Sequence, residues 1–159
     1  MATDTVGSSP WMTIGYAVMP NDTLALEPHA GDSGAAGARG HLILVVEDHP
    51  ATRSALTTLL GEAFPGCRVM AAETAERALL ICKSEAPGLV LMDIGLPGMN
   101  GIEATRIIKQ MAERTRVVMH TTSDMPIYRE EAAAAGADAF VGKAKNAADL
   151  LSIISSFLR

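Results

Sequence analysis

The sequence lacks the marks of a secreted or membrane-spanning protein. Its 159 residues include only two cysteines, too few for the disulfide framework of a small extracellular domain, and we expect Cys67 and Cys82 to be free thiols. No apolar run approaches the roughly 18 residues of a membrane span. Met1 to Ser9 contains none of the basic residues of a secretory signal. We therefore expect a soluble, cytoplasmic protein without membrane association.

The sequence also lacks an excess of positive charge. Lysine and arginine number 13 against 18 acidic residues, for a net charge of −5, which argues against direct nucleic-acid binding by this chain. Apolar residues make up 48% of the sequence, which excludes disorder of the whole chain. The length suits one domain with its own core.

Residues 1–40 differ in composition from the rest, and we predict a flexible tail there, followed by one domain over 41–159. Small residues dominate Gly31 to Gly40, as in flexible linkers. Trp11 to Met19 is the one apolar island of this tail. It is either disordered with a few exposed apolar groups, or a short docking segment that pairs with a sheet edge or a partner's groove.

From His41 onward, strand-like apolar runs alternate with segments of helical periodicity. Strict alternation with short connections predicts an α/β fold, a five-stranded parallel sheet with helices on both faces. Thr74, Asp124 and Asn146 are predicted to cap the second, fourth and fifth helices. The predicted strands are Leu42 to Val46, Cys67 to Ala72, Leu89 to Asp93, Arg116 to His120 and Asp138 to Val141.

Asp93 ends an apolar run and begins a loop. Ile94 to Asn100 contains two glycines, a proline and an asparagine, which is typical of a turn. Asp93 should therefore lie at the carboxyl end of a central strand, where open α/β sheets bind ligands. There it is a candidate phosphoryl acceptor or metal ligand, although a lone aspartate in this position could also be a helix cap or turn residue.

Other predicted strand ends carry complementary groups. Glu47 and Asp48 follow the first strand, Thr121 follows the fourth and Lys143 follows the fifth. Converging carboxylates repel unless a cation lies among them, and oxygen ligands suit Mg²⁺. The ammonium and the hydroxyl would help to hold a transferring phosphoryl group. Each residue alone has a structural explanation, but their shared position at strand ends favours one common site.

Four segments together resemble the receiver domain of two-component response regulators: Val45 to Asp48, Leu91 to Gly101, Thr121, and Phe140 to Lys143. The resemblance covers about Gly40 to Arg159. It implies a doubly wound, flavodoxin-like (βα)5 fold. The loop after Asp93 looks most like the subfamily whose receivers precede helix-turn-helix output domains.

By this resemblance Asp93 is the phosphoacceptor. Asp48 and Asp93 would ligate Mg²⁺ together with the backbone carbonyl of Gly95, while Glu47 would act through a water or assist directly. Lys143 would pair with the acceptor carboxylate and then with the phosphoryl group.

The resemblance further implies a switch. Thr121 would bond a phosphoryl oxygen and move toward it, and Phe140 would turn inward into the space left behind. The alternative is a permanently buried core phenylalanine. The face formed by the fourth helix, fifth strand and fifth helix would then change. Its expected apolar contacts are Met125, Ile127, Tyr128 and Ala132 to Ala135.

Some positions depart from the family pattern. Thr122 and Ala144 stand where the family often has alanine and proline, so we leave the pocket access and the peptide geometry there open. Gly95 offers no side chain to orient an attacking water, so we expect slow self-dephosphorylation and no phosphatase-type enzyme. His49 either tunes the pocket or is a plain loop histidine, and His120 is expected to be packed rather than catalytic.

The sequence thus predicts a phosphoacceptor switch charged by a histidine kinase or a phosphotransfer protein. With no output domain after Arg159, we expect it to signal by binding an unknown downstream protein, and a phosphorylation-dependent homodimer is one form this could take. Two alternatives stay open: a phosphorylation-independent interaction module on the same fold, and the receiver part of a truncated transcription regulator.

Overall fold

The computed structural model describes residues 41–159 and, before them, the backbone of one short strand at Ala17–Val18. The predicted flexible tail over 1–40 otherwise lies outside the described residues. Among the described residues, no helix is both long enough and apolar enough to cross a membrane. Cys67 and Cys82 are free thiols, as predicted.

Strands and helices alternate along the chain after the first strand. The strands are β1 (Ala17–Val18), β2 (Leu42–Val46), β3 (Arg68–Ala72), β4 (Leu89–Met92), β5 (Arg116–Thr121) and β6 (Ala139–Gly142). The helices are α1 (Pro50–Ala63), α2 (Ala75–Glu85), α3 (Gly101–Met111), α4 (Pro126–Ala134) and α5 (Ala147–Phe157).

The strands form one sheet in the order β1-β6-β5-β4-β2-β3. All neighbouring pairs from β2 to β6 are parallel, which confirms the predicted doubly wound, flavodoxin-like sheet of five parallel strands. β1 is an additional strand that pairs antiparallel with the edge strand β6, with Ala17 opposite Phe140 and Val18 opposite Ala139.

Side-chain alternation along the strands builds a core on each face of the sheet. Val46, Met92 and Met119 belong to the core on the α2–α3–α4 side, and Val45 and Leu91 to the core on the α1–α5 side. β2 and β4 are buried along their whole length, because parallel strands covered on both faces read as continuous apolar runs. The central strands are therefore rigid supports for the residues that follow them.

Helix starts follow the predicted caps with one exception. The side chains of Thr74 and Asn146 accept backbone N–H bonds at the starts of α2 and α5, as predicted. The prediction that Asp124 caps the fourth helix is wrong, because the N-cap of α4 is Met125 and makes no side-chain bond. The Asp124 carboxylate instead accepts a hydrogen bond from Arg129 Nε at 2.6 Å.

Gly101 lets α3 begin directly against the end of β4. Its N–H donates to the carbonyl of Ile94 at 3.0 Å. A Cβ atom at this position would lie 1.9 Å from the carbonyl oxygen of Asp93 and 2.9 Å from Met92 Cγ. Only glycine permits this approach, which fixes the backbone beneath Asp93.

We predict that Gly101→Ala lowers the free energy of unfolding by about 2 kcal/mol or more, because α3 must shift away from the strand end. Gly61→Ala in α1 is the matched control, since a Cβ atom there meets nothing within 4 Å and alanine favours a helix by about 0.5–1 kcal/mol. Urea unfolding followed by circular dichroism measures both. Equal stability of the two variants would contradict the close approach.

Candidate functional site

Three carboxylates converge at the carboxyl ends of β2 and β4. These strands are neighbours, with Val46 opposite Met92, and the N–H of Asp93 donates to the carbonyl of Val46 at 3.0 Å. One carboxylate oxygen from each of Glu47, Asp48 and Asp93 lies within 4.8 Å of the other two. Glu47 and Asp93 are buried while Asp48 is exposed, so the cluster opens to solvent on one side.

Lys143 joins two of these carboxylates. Its Nζ donates to Asp93 Oδ2 at 3.0 Å and also to Glu47 Oε2. The lysine follows β6 directly, and its backbone N–H donates to the carbonyl of Thr121 at 2.8 Å. Burial alone would lower the pKa of Lys143, but the bonds to Glu47 and Asp93 and their charges outweigh it and raise the pKa. The ammonium therefore stays charged at neutral pH.

The donor set fits a divalent cation. Three carboxylates against one ammonium leave a formal excess of two negative charges in the cluster. Mg²⁺ prefers carboxylate and carbonyl oxygens and keeps part of its water shell, which suits a cluster with Asp48 on its exposed side. This acidic cluster is of the kind that holds Mg²⁺ in receiver domains.

Thr121 is the last residue of β5, the neighbour of β4 in the sheet, and Gly95 lies two residues after Asp93 in the loop that follows β4. Thr121 is 1% exposed, and its Oγ1 accepts a hydrogen bond from the N–H of Ser123 at 3.3 Å, which leaves its own O–H free to donate elsewhere. The N–H of Gly95 donates to Asp93 Oδ1 at 3.4 Å. Space is open around Gly95, because a Cβ atom there would meet nothing within 4 Å.

The structure answers the questions that Thr122 and Ala144 left open about pocket access and peptide geometry. The side chain of Thr122 is exposed rather than buried beside Asp93. All peptide bonds of the described residues are trans, including the one between Lys143 and Ala144.

Sequence reasoning missed the residue that fixes the loop after β2. Arg53 Nη1 donates to the backbone carbonyls of Glu47 at 2.9 Å and of Asp48 at 3.1 Å. His49 also contributes, since its N–H donates to Glu47 Oε1 at 3.2 Å and its ring caps α1. The position of Arg53 in the first turn of the following helix was the available signal.

His120 is a buried histidine on the strand next to Asp93. It is 9% exposed, and its Nδ1 is buried without a partner in the described part of the chain. The register that pairs Met92 with Met119 places His120 alongside Asp93 on the neighbouring strand. Burial first, and the charge of Lys143 second, lower the pKa of His120 to about 4. The imidazole is therefore neutral at pH 7 and packed, as expected.

Phe140 is fully buried, at 0% exposure, in the core on the α2–α3–α4 side. Arg129 of α4 covers it, with Cζ 4.6 Å from the ring centroid. The expected apolar surface of α4 is smaller than predicted. Ala132 and Ala135 are buried in the core, because their small side chains let α4 pack closely on the sheet. The exposed apolar residues among those predicted are Met125, Ile127 and Ala134, while Tyr128 and Ala133 are partly buried.

Residues 43–155 match the response regulator receiver domain family. This range contains the acidic cluster, the lysine and both predicted switch residues. The chain therefore belongs to the receiver domains of two-component response regulators, a family of signalling receivers rather than catalytic enzymes.

The similar proteins include regulators that are about twice as long as the matched region and others that the matched region covers almost completely. The transcriptional activator ExaE of Pseudomonas putida is 38% identical over 117 residues, covering 73% of this chain and 54% of ExaE. PilH of Pseudomonas aeruginosa is 33% identical over 118 residues, covering 73% of this chain and 96% of PilH. A LuxR-family two-component response regulator from Aurantimonas sp. SI85-9A1 matches with a TM-score of 0.69 at 36% identity, over 74% of this chain and 84% of that structure. This chain spans about half the length of curated relatives such as ExaE.

The buried histidine predicts an acid-sensitive stability. The unfolded chain takes up a proton on His120 near its ordinary pKa of 6.5, but the folded protein does so only near 4. Stability must therefore fall as the pH drops from 6.5 toward 4. Between about pH 7.5 and pH 5 this residue should account for about 1–2 kcal/mol of the loss.

Between pH 7.5 and pH 5, we expect the unfolding free energy of His120→Leu to fall by about 1–2 kcal/mol less than that of the parent protein. Urea unfolding at the two pH values measures the difference. His41→Gln, which changes an exposed histidine, is the control and should keep the parent's pH dependence. An unchanged slope in His120→Leu would contradict the buried neutral imidazole.

Proposed function

We propose that this receiver domain is a phosphoacceptor switch that a histidine kinase or a phosphotransfer protein phosphorylates on Asp93 in the presence of Mg²⁺. One observation carries the proposal: the Asp93 carboxylate lies within the three-carboxylate cluster and accepts a hydrogen bond from Lys143. An aspartate so placed has both a cation site and a fixed positive charge beside it, which are the two requirements for stabilising a phosphoryl group in transfer.

The chain's own residues divide the work. Asp48, Asp93 and the backbone carbonyl of Gly95 would hold the metal ion, with Glu47 acting through a water. When bound, Mg²⁺ would offset the charge of the phosphoryl oxygens. Lys143 keeps the acceptor carboxylate oriented before transfer and would contact a phosphoryl oxygen afterwards.

In the proposed step an Asp93 carboxylate oxygen attacks the phosphorus of a phosphohistidine. A P–O bond forms, the P–N bond breaks, and the imidazole leaves with the bonding pair. The added group carries about −1.5 to −2 charges and strong acceptor oxygens. The O–H of Thr121, whose oxygen already accepts the Ser123 N–H, is the donor positioned to respond, and its movement would be passed to Phe140 and α4.

The output surface in this proposal is the face formed by α4, β6 and α5. Met125 and Ile127 are 55% and 48% exposed there, and two such side chains two positions apart offer a protein partner a small apolar contact surface. An unidentified downstream protein is the proposed partner, and a second phosphorylated copy is the alternative. The free thiols fit the reducing cytoplasm as the site of action.

A second candidate is the receiver portion of a helix-turn-helix transcription regulator. It is favoured by the coverage of about half of relatives such as ExaE. In that case the same phosphorylation would act on an output domain in the same protein rather than on a separate partner.

The assignment of the acceptor predicts a mass change that one residue abolishes. After incubation with acetyl phosphate and Mg²⁺, the parent protein should gain the mass of one phosphoryl group, and Asp93→Asn should gain none because the attacking carboxylate is gone. Intact-mass spectrometry reads both. Asp149→Asn in the first turn of α5 is the matched control and should be phosphorylated like the parent. No mass gain in any of them would favour an interaction module that works without phosphorylation.

The glycine at position 95 predicts a long-lived phosphoprotein. No side chain there can orient a water toward the phosphorus, yet the space around the position is open. We expect Gly95→Asn to shorten the half-life of the aspartyl phosphate about tenfold, less than the roughly 10²–10⁴-fold of a positioned general acid or base, because an amide can orient a water but cannot take its proton. Gly95→Ala should keep the parent's half-life. Decay of the parent phosphoprotein within seconds would contradict this reasoning.

A further inference from the structure

We propose that Arg129 is a positioning residue that holds the Phe140 ring in its buried position before any phosphorylation, with Asp124 fixing the guanidinium. The contacts Asp124–Arg129 and Arg129–Phe140 are here called the α4 latch. The effect of the latch on signalling rests on the proposed role of Asp93, whereas its effect on the ring position does not.

The first contact of the latch is between the guanidinium and the ring. Arg129 Cζ lies 4.6 Å from the centroid of Phe140, within the roughly 6 Å over which a cation is attracted to an aromatic face. The ring is fully buried and the Arg129 side chain is only 22% exposed. Partial removal from water strengthens such contacts. The guanidinium therefore covers the ring on its solvent side and is attracted to the ring's face.

The second contact fixes the orientation of the guanidinium. Nε donates to Asp124 Oδ1 at 2.6 Å, and an Nη atom pairs with the same oxygen. Asp124 is 44% exposed, so the ion pair by itself adds little stability. Its consequence is geometric: the planar guanidinium cannot rotate away from the ring without breaking both bonds.

The latch connects to the proposed switch through the loop that begins at Thr121. The N–H of Ser123 donates to Thr121 Oγ1 at 3.3 Å, and the N–H of Asp124 donates to the carbonyl of Thr122 at 3.1 Å. Across the sheet, Thr121 lies opposite Gly142 in the same strand as Phe140. A shift of Thr121 therefore moves the carboxylate that holds Arg129 over the ring.

This arrangement changes the expected order of events. If phosphorylation favours a buried Phe140, then a contact that already holds the ring buried makes phosphorylation more favourable. The gain equals the factor by which that contact shifts the equilibrium between the exposed and the buried ring. The latch would pre-set the ring, and the loop and α4 would carry the remaining change. A contact of this kind corresponds to about a fivefold shift in a two-state equilibrium.

The ring position can be read without any phosphodonor. The chain has three phenylalanines, so full-length protein labelled with 4-fluorophenylalanine should give three ¹⁹F resonances, assigned with Phe64→Leu and Phe157→Leu. In the parent the Phe140 resonance should not shift between H2O and D2O. In Arg129→Met we expect it to shift and to become sensitive to D2O, because the ring samples an exposed position.

Two further variants keep this test decisive. Arg114→Met removes an exposed arginine just before β5 and should leave the Phe140 resonance unchanged. Arg129→Lys keeps the charge but loses the planar fork, so its resonance should lie between those of the parent and Arg129→Met. It also carries the test if the Phe64 and Phe157 resonances show that Arg129→Met is misfolded. A Phe140 resonance in Arg129→Lys and Arg129→Met identical to that of the parent would overturn the latch.

Coupling to the acceptor site is tested separately with Mg²⁺ and beryllofluoride, a reversible phosphoryl mimic. Arg129→Met should need about fivefold more mimic for half-saturation, and saturation should return its Phe140 resonance toward that of the parent. Equal half-saturation in all variants would overturn the coupling. Failure of the mimic to bind even the parent would count against the phosphoacceptor role, while the phosphodonor-free resonances would still decide whether Arg129 holds the ring.

Discussion

The shared hydrogen bonding of the Lys143 ammonium to Glu47 and Asp93 is the interaction on which the site depends. It joins the ends of β2, β4 and β6 across the sheet, and it keeps two buried carboxylates from repelling each other without compensation. Buried charges are tolerated only when they are paired and hydrogen-bonded. The fold therefore needs the lysine even in the absence of any phosphoryl chemistry, and the site inherits a charge that is already in place.

The parallel sheet makes this convergence possible. Since the strands run in one direction, their carboxyl ends share one edge, and residues far apart in sequence meet there. Glu47 and Lys143 are separated by 96 positions. The close approach of Gly101 to the Asp93 carbonyl and the bonds from Arg53 to the β2–α1 loop then reduce the freedom of Asp93 and its neighbours. Packing thus fixes the backbone at Asp93, and the hydrogen bond from Lys143 orients its carboxylate.

The sheet and the acidic cluster could be predicted because each depends on local pattern. Neighbouring residues in the sequence are enough to predict the apolar runs, the turns and the position of Asp93 at a strand end. Arg53 and Arg129 could not be assigned, since their partners are a carbonyl pair and an aromatic ring that only packing brings near. Asp124 was misread as a cap for the same reason. Of the two interpretations of the apolar island, pairing with a sheet edge agrees with the position of Ala17–Val18 beside β6.

The distribution of rigidity indicates where a signal can leave the domain. β2 and β4 are buried along their length, and the backbone of Lys143 is bonded to that of Thr121. The strands therefore have little freedom to move if Asp93 is phosphorylated as proposed. Residues 122–127, in contrast, are all exposed and contribute no side chain to either core. A displacement at Thr121 is therefore absorbed most easily by this loop and the first turn of α4. Met125 and Ile127, two of the four exposed large apolar side chains of the described residues, lie in that stretch, so the loop that can yield most easily also carries part of the exposed apolar surface.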